Sequence, residues 1–233
     1  MTLEKLKELH QLNSHQISQY HDYANVLIEQ NKVMNLTAIT EFDDIIEKHF
    51  HDSLLINELI SEAYSFCDVG SGAGFPGLVL AIKNPDKHFT LVEPTKKRCN
   101  FLNDIIDLLK LENVTIINER AEDTVKVHRE RFDVVSARAV ANMLMLSELC
   151  LPLVKVDGLF IAMKGQKGLE ELEDASFALK ILGGKVISTE LSMLSDESLR
   201  YNIVIQKIDK TPRKYPRSFG QIKRKPLGNR KGG

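Results

Sequence analysis

The sequence predicts an α/β protein: a doubly wound sheet of seven mostly parallel strands, preceded by a helical cap. Three observations predict it. From residue 65 onward, short apolar strand-like runs alternate with amphipathic helical runs, the pattern of a parallel sheet covered on both faces. Near the end, two strand-like runs are separated only by SDESL (195–199), too short for a crossover helix, so they pair antiparallel. Between the first strand and the first sheet helix lies DVGSGAGFPG (68–77), with four glycines in eight positions. Such a turn lets the backbone take positive φ and approach a ligand closely.

Each element has its own signal. Over the first thirty residues, Leu3, Leu6, Leu9 and Leu12, then Ile17, Tyr20 and Leu27, recur at steps of three and four and predict helix. NLTAIT (35–40) interrupts them, and helix is expected again over 41–60, completing a cap over 1–60. The α/β body spans 61–210. SFCDVG is its first strand and FPGLVLAIKN its first helix, with Pro76 in the first turn, where a missing N–H costs little. HFTLVEP is the second strand. KRCNFLNDIIDLLKL is an amphipathic helix, with Leu102, Ile105, Ile106 and Leu109 on one side. NVTIINE, RFDVVSA and GLFIAMKG are the next three strands, and LEELEDASFALKILG is the helix after them. KVISTELSML and RYNIVIQKI complete the sheet, the last strand reversed. A reversed seventh strand marks the class I methyltransferase variant of the Rossmann-like sheet.

Composition narrows the function classes. With 233 residues and 43% of them hydrophobic, there is material for one large core. No stretch reaches the roughly 18 to 20 apolar residues of a membrane helix, and the N-terminus lacks a signal-peptide pattern. Cys67, Cys99 and Cys150 are odd in number and far apart. They fit neither a disulfide framework nor a zinc site, so a reduced, cytoplasmic protein without a metal is expected. The formal net charge of −1 hides an asymmetry: residues 207–233 carry +9 and the rest −10. A basic tail over 211–233 on an acidic body suggests a polyanionic partner.

The glycine turn satisfies two templates. Gly72, Gly74 and Gly77 fit the dinucleotide fingerprint GxGxxG, with Glu93 placed about 20 residues on as a ribose-binding acid. Asp68, Gly70, Gly72 and Gly74 fit the acid-x-G-x-G-x-G of S-adenosylmethionine enzymes. A carboxylate at the end of the first strand repels a pyrophosphate, whereas the amino-acid end of S-adenosylmethionine offers an ammonium to Asp68 and a carboxylate to the turn. Asp68 and the reversed strand therefore favour S-adenosylmethionine. Asp68 also has a plainer reading, as an acceptor for hydrogen bonds within the turn.

Two more positions complete such a pocket. Ala121, Glu122 and Asp123 follow the third strand, where an adenine needs polar partners; an ordinary solvated loop is the other reading. Arg138 ends the fourth strand, where this architecture places its chemistry, or it forms a structural ion pair. Ser136-Ala137-Arg138 is not the Asn/Asp-Pro-Pro-aromatic motif common in amine methylation, and no cysteine sits there for covalent catalysis. Lys96, Lys97 and Arg98 open a helix against its dipole, either to face phosphates or as solvated charge. In the tail, Arg213, Lys214, Arg217, Lys223, Arg224 and Lys225 with Tyr215 and Phe219 combine charge and stacking surface for RNA, or form a solubilising extension.

MNLTAIT (34–40), KHFHDSL (48–54), DVGSGAGFPGL (68–78), KKRCNFL (96–102), ARAVA (137–141) and KYPR…KPL (214–227) occur in that order. Together they resemble the bacterial 16S ribosomal RNA guanine-N7 methyltransferase family called RsmG, or glucose-inhibited division protein B. The resemblance spans nearly the whole chain. It implies methylation of one guanine N7 in the helix 18 loop of 16S RNA, within the small ribosomal subunit or an assembly intermediate. It also implies cofactor contacts at Gly70, Phe75, Ala121, Glu122 and Arg138, and a monomer is expected. The chain departs from the family at Glu93-Pro94, where Asp-Ser is usual, and at Ser218 and Gln221-Ile222, where Lys and Thr-Pro are usual. Guanine N7 carries a lone pair and no proton, so a chain without an evident general base suits it, with Arg138 orienting substrate or cofactor. Deleting residues 212–233 is expected to spare S-adenosylmethionine binding and cut transfer to RNA. A nicotinamide oxidoreductase on the same turn and a non-catalytic ribosome-assembly factor are the rival readings.

Overall fold

The computed structural model describes residues 1–138 and 141–228. The middle of the ARAVA motif and the last five residues of the basic tail lie outside the described residues.

The seven strands are β1 (Ser65–Val69), β2 (His88–Val92), β3 (Val114–Ile117), β4 (Phe132–Arg138), β5 (Val154–Lys164), β6 (Gly184–Met193) and β7 (Leu199–Lys207). They lie in the order β3-β2-β1-β4-β5-β7-β6. All pairs are parallel except those made by β7, which runs antiparallel to both β5 and β6. The reversed seventh strand and the doubly wound sheet are thus as the sequence predicts.

Side chains alternate across a strand, so each strand feeds two cores. Phe66, Leu91, Val134 and Met163 point to one core, and Cys67, Val92, Val135 and Ala162 to the other. The first core is closed by α1 (Leu3–His10), α2 (Ser14–Met34), α5 (Gly77–Lys83) and α6 (Lys96–Leu109). The second is closed by α7 (Ala121–His128), α8 (Met143–Cys150), α9 (Gly168–Ile181) and α10 (Phe219–Arg224). The N-terminal cap therefore shares its core with the sheet. Cys67 and Cys150 are fully buried in the second core and Cys99 is buried at the start of α6.

The N-terminal helix is not continuous: α1 ends at Gln11, in the left-handed conformation, and α2 restarts from an Asn13–Gln16 capping box. The regular helix expected over 41–60 is also corrected. It consists of α3 (Phe42–Ile45), a π-helical stretch (Ile46–His51), α4 (Asp52–Leu54), and a separate 3₁₀ turn at Glu58–Ile60. A π stretch inserts a residue into the turn and shifts the following side chains around the axis. Here it contains Lys48 and His49 and ends just before Asp52, three of the residues the cap contributes to the site.

Candidate functional site

The glycine turn is held from both sides. Asp68 shares its strand face with Phe66 and points under the turn toward the cap side. It is fully buried; its Oδ2 accepts the Gly77 N–H (3.1 Å) and its Oδ1 the Ser136 hydroxyl (3.1 Å). Burial pushes its carboxyl up from 3.8 to about 6. Gly77 leaves room for this contact, since a Cβ there would lie 3.0 Å from Asp68 and run into Leu91. Gly74 (φ +102°) serves the other side: a Cβ would strike the hydroxyl of Tyr23, which donates to the Ala73 carbonyl. Tyr20 donates to Val79 (2.8 Å), so two tyrosines of α2 pin the turn and its helix.

The turn opens onto a cleft of about 460 Å³, lined by Gly70, Ser71, Gly72, Ala73, Phe75, Glu93, Thr95, Arg98, Arg120, Arg138, His49, Thr37 and Phe219, among others. Glu93, 2% exposed, accepts Gly72 N–H on Oε2 (3.0 Å) and Thr95 N–H on Oε1 (2.8 Å). Arg98 approaches the same carboxylate at 3.9 Å. Each carboxylate oxygen has two acceptor sites, so Glu93 keeps lone pairs for a ribose diol. Phe75 stacks on His49 at 4.3 Å between ring centroids.

Arg138 has the same strand parity as Asp68 and Ser136, and so it too faces the cap. Its Nη1 donates to the Lys48 carbonyl (3.1 Å) and to Asp52 Oδ2 (2.9 Å), its Nη2 to His49 Nδ1 (3.0 Å), and its guanidinium lies 4.9 Å over the Phe75 ring. Arg200 of β7 holds the other oxygen of Asp52 at 3.2 Å. Burial and the neighbouring Arg138 cation lower His49 from 6.5 to about 3, so it is neutral at physiological pH. A guanidinium can only donate, which makes Nδ1 the acceptor and leaves the proton on Nε2. Nε2 then donates to Thr37 Oγ1 (2.8 Å), which also accepts the Ile39 N–H (3.1 Å). With its lone pairs occupied, the Thr37 hydroxyl is left as a donor at the cleft wall.

On the far side of Arg138 and His49 lies a second cleft of about 490 Å³, bounded by Lys48, Asp52, Ala141, Met163, Lys164 and Arg200. Arg138 and His49 line both. Lys164 donates to the Ala141 carbonyl (2.6 Å) and to Glu171 (2.8 Å). Among the described residues, no group of three or more His, Cys, Asp or Glu could hold a metal ion.

The remaining sequence-predicted residues divide. Gly70, Gly72, Phe75, Glu93 and Arg138 line the first cleft. Asp68 does not; its place is beneath the turn, bracing it, and a direct contact with a ligand ammonium is replaced by the Gly77 and Ser136 hydrogen bonds. Ala121 and Glu122 begin α7 outside the cleft lining, and Arg120 takes the wall position expected of them. Lys96 and Lys97 are exposed, as are Arg213, Lys214, Lys223, Arg224 and Lys225. Tyr215 and Arg217 turn inward instead. Tyr215 is 7% exposed, and Arg217 clamps the fully buried Glu148 through Nε (2.9 Å) and Nη2 (2.6 Å). The segment 212–228 thus packs on the body, with Ile222 fully buried and Phe219 in the cleft wall.

The model of the family described as "rRNA small subunit methyltransferase G" matches residues 16–199. The chain belongs to this family. The protein of that name from Ligilactobacillus salivarius is 47% identical over 226 residues, covering 93% of both chains. That from Staphylococcus carnosus is 46% identical over 97% of both. Among solved structures, M. jannaschii TYW2 in complex with AdoMet has a TM-score of 0.55 at 18% identity, covering 69% of this chain and 76% of its own. A 16S rRNA adenine-N1 methyltransferase variant from Catenulisporales acidiphilia has a TM-score of 0.53 at 15% identity, covering 70% and 92%. These two likenesses show the fold. As a family member the chain is an S-adenosylmethionine-dependent rRNA methyltransferase, and the first cleft fits that cofactor: backbone of the glycine turn, a buried carboxylate with spare lone pairs, and aromatic walls.

Sequence reasoning assigned no role to His49, Asp52, Thr37, Arg200 or Arg120. The signal for the first three was present. All three fall within MNLTAIT and KHFHDSL, two of the motifs that carry the family resemblance.

Proposed function

We propose that this chain transfers the methyl group of S-adenosylmethionine to N7 of one guanine in the helix 18 loop of 16S ribosomal RNA. The observation that carries the reading is the adjacency of two clefts along Arg138 and His49. The cofactor occupies the first, with Gly70, Gly72, Phe75 and Glu93 around it, and the flipped guanine enters the second. When bound, S-adenosylmethionine supplies an electrophilic methyl group.

Guanine N7 attacks without losing a proton, so the site needs no general base. The groups between the clefts are consistent with that. His49 is neutral with both nitrogens engaged, and Asp52 is neutralised by Arg138 and Arg200. The chain's work is then positional, and holding two reactants in line accounts for several kcal/mol of a barrier. Arg138 keeps its guanidinium edge at the junction because Lys48, His49 and Asp52 fix it from behind. Lys48, Lys164 and Arg200 also border the second cleft, each held by a carboxylate: Asp44 and Asp196 hold Lys48, Glu171 holds Lys164 and Asp52 holds Arg200.

The test supplies tritiated S-adenosylmethionine and small ribosomal subunits from a strain lacking this gene. Borohydride and aniline cleavage then maps N7-methylguanine. One new cut in the helix 18 loop is expected. Label without that cut overturns the target, and no label with cofactor binding intact on both mature subunits and assembly intermediates overturns the activity.

A further inference from the structure

The C-terminal segment contributes an aromatic ring to the first cleft that the fold of the sheet does not require. Phe219 lines the cleft together with Glu93, Thr95 and Arg120. The Arg120 guanidinium lies 5.1 Å from the centre of the Phe219 ring. Arg120 is the N-cap of α7, just after β3 and next to Ala121, Glu122 and Asp123, where the sequence leads one to expect the adenine. A cation over an aromatic face and an open cleft beside it make a surface for a flat, electron-rich heterocycle.

The ring is held in place without a ligand. Upstream, Arg217 is clamped to buried Glu148, and the Arg129 guanidinium donates to the Tyr215 carbonyl. Downstream, Ile222 is fully buried in the second core. Ser218 and Gln221 cap the helix between them. Phe219 itself is only partly buried. A phenyl ring fixed at its backbone by three anchors and left partly uncovered is preorganised for a contact from the cleft side.

We propose that Phe219, backed by Arg120, forms the adenine-binding wall of the cofactor cleft, so that the C-terminal segment is part of the S-adenosylmethionine site. The proposal rests on S-adenosylmethionine as the ligand of that cleft. It reverses the expectation that residues 212–233 could be deleted without loss of cofactor binding. The segment also carries Lys223, Arg224 and Lys225, exposed bases suited to phosphates, two turns or less from Phe219. RNA bound at these bases and cofactor bound against Phe219 would share one segment, and any factor by which one changes the affinity of the other acts equally in both directions.

The experiment is isothermal titration of S-adenosylhomocysteine into the full chain and into Phe219→Ala, Phe219→Leu, Phe219→Tyr and Arg120→Ala. Stacking of a base on an aromatic side chain is worth about 1 to 3 kcal/mol by alanine substitution. Phe219→Ala is therefore expected to weaken binding by roughly fivefold to a hundredfold. Phe219→Leu, which keeps apolar volume and loses the π face, should weaken it comparably, and Phe219→Tyr should stay within about twofold of wild type. Thermal unfolding of each variant without ligand separates a damaged fold from a lost contact. If Phe219→Ala unfolds, Phe219→Leu and the exposed Arg120→Ala carry the test. Affinity within about twofold of wild type in folded Phe219→Leu and Arg120→Ala overturns the proposal. Methyl transfer is scored separately: tight S-adenosylhomocysteine binding without N7 methylation overturns the proposed function and leaves this inference standing.

Discussion

Replacing Arg217 by Ala should destabilise the protein as a whole, although Arg217 belongs to a basic tail. In the folded chain Glu148 is fully buried, and Arg217 gives it its backbone N–H (2.8 Å), Nε (2.9 Å) and Nη2 (2.6 Å). Arg217→Ala removes the side-chain donors and leaves a carboxylate in the interior with the one backbone donor. Breaking a buried pair by removing one partner costs about 3 to 5 kcal/mol. The Arg217 side chain is 23% exposed, so water reaches part of the gap, and about 3 kcal/mol is the better figure. For a chain of this size that lowers Tm by about 6 to 12 °C. Glu148→Gln in the same background removes the stranded charge while its amide oxygen still accepts the backbone N–H, and it should recover about half the loss. The assay is thermal or urea unfolding of the two single variants and the double variant. A Tm change below about 1 °C for Arg217→Ala, or no recovery in the double variant, refutes this account. If the salt dependence of RNA binding also weakened in such a stable variant, Arg217 would be a phosphate ligand after all.

Other perturbations read the site directly. Lowering pH charges His49 in the unfolded chain below 6.5, while the folded chain keeps it neutral to about 3, so its stabilising effect is lost as pH falls. Relative to His49→Gln, wild type should lose about 3 kcal/mol between pH 6.5 and about pH 4 in urea titrations. Asp68 runs the opposite way: its carboxyl is raised from 3.8 to about 6, so stability is lost as pH rises through that window. Asp68→Asn should gain about 2 kcal/mol on wild type between about pH 4 and about pH 7, measured the same way. Thr37→Val strands the His49 Nε2 proton and should cost about 1 to 3 kcal/mol in equilibrium unfolding, Thr37→Ser much less. Replacing Lys223, Arg224 and Lys225 together by Ala should shallow the log–log salt dependence of RNA binding by about 2 while leaving Tm nearly unchanged, measured by filter binding from low to high salt.

The pattern of correct and corrected readings has a physical cause. The seven strands, the reversed β7 and the glycine turn were legible because each depends on residues close in sequence: short apolar runs, a five-residue link, glycines at a strand end. Gly70, Gly72, Glu93 and Arg138 were legible for the same reason, since the C-terminal ends of parallel strands share one rim; Phe75 was legible only through the family resemblance. Tyr215 and Arg217 were misread because composition records that a segment is basic and aromatic but not which way its side chains turn. The π stretch at Ile46–His51 was invisible to an i, i+3, i+4 pattern, which cannot register a one-residue insertion in a turn.

By itself, then, the sequence determined the sheet, the cofactor turn and the identity of the strand-end residues, all through local periodicity and backbone requirements. Tertiary structure alone decided what those residues meet. Parity on β4 sends Arg138 to the cap side, but only docking of the cap supplies His49 and Asp52, 86 to 89 residues away in the chain. Only packing of the C-terminal segment on Glu148 brings Phe219 to the cleft. Such contacts depend on how separate apolar faces close on one another, and no local propensity encodes that.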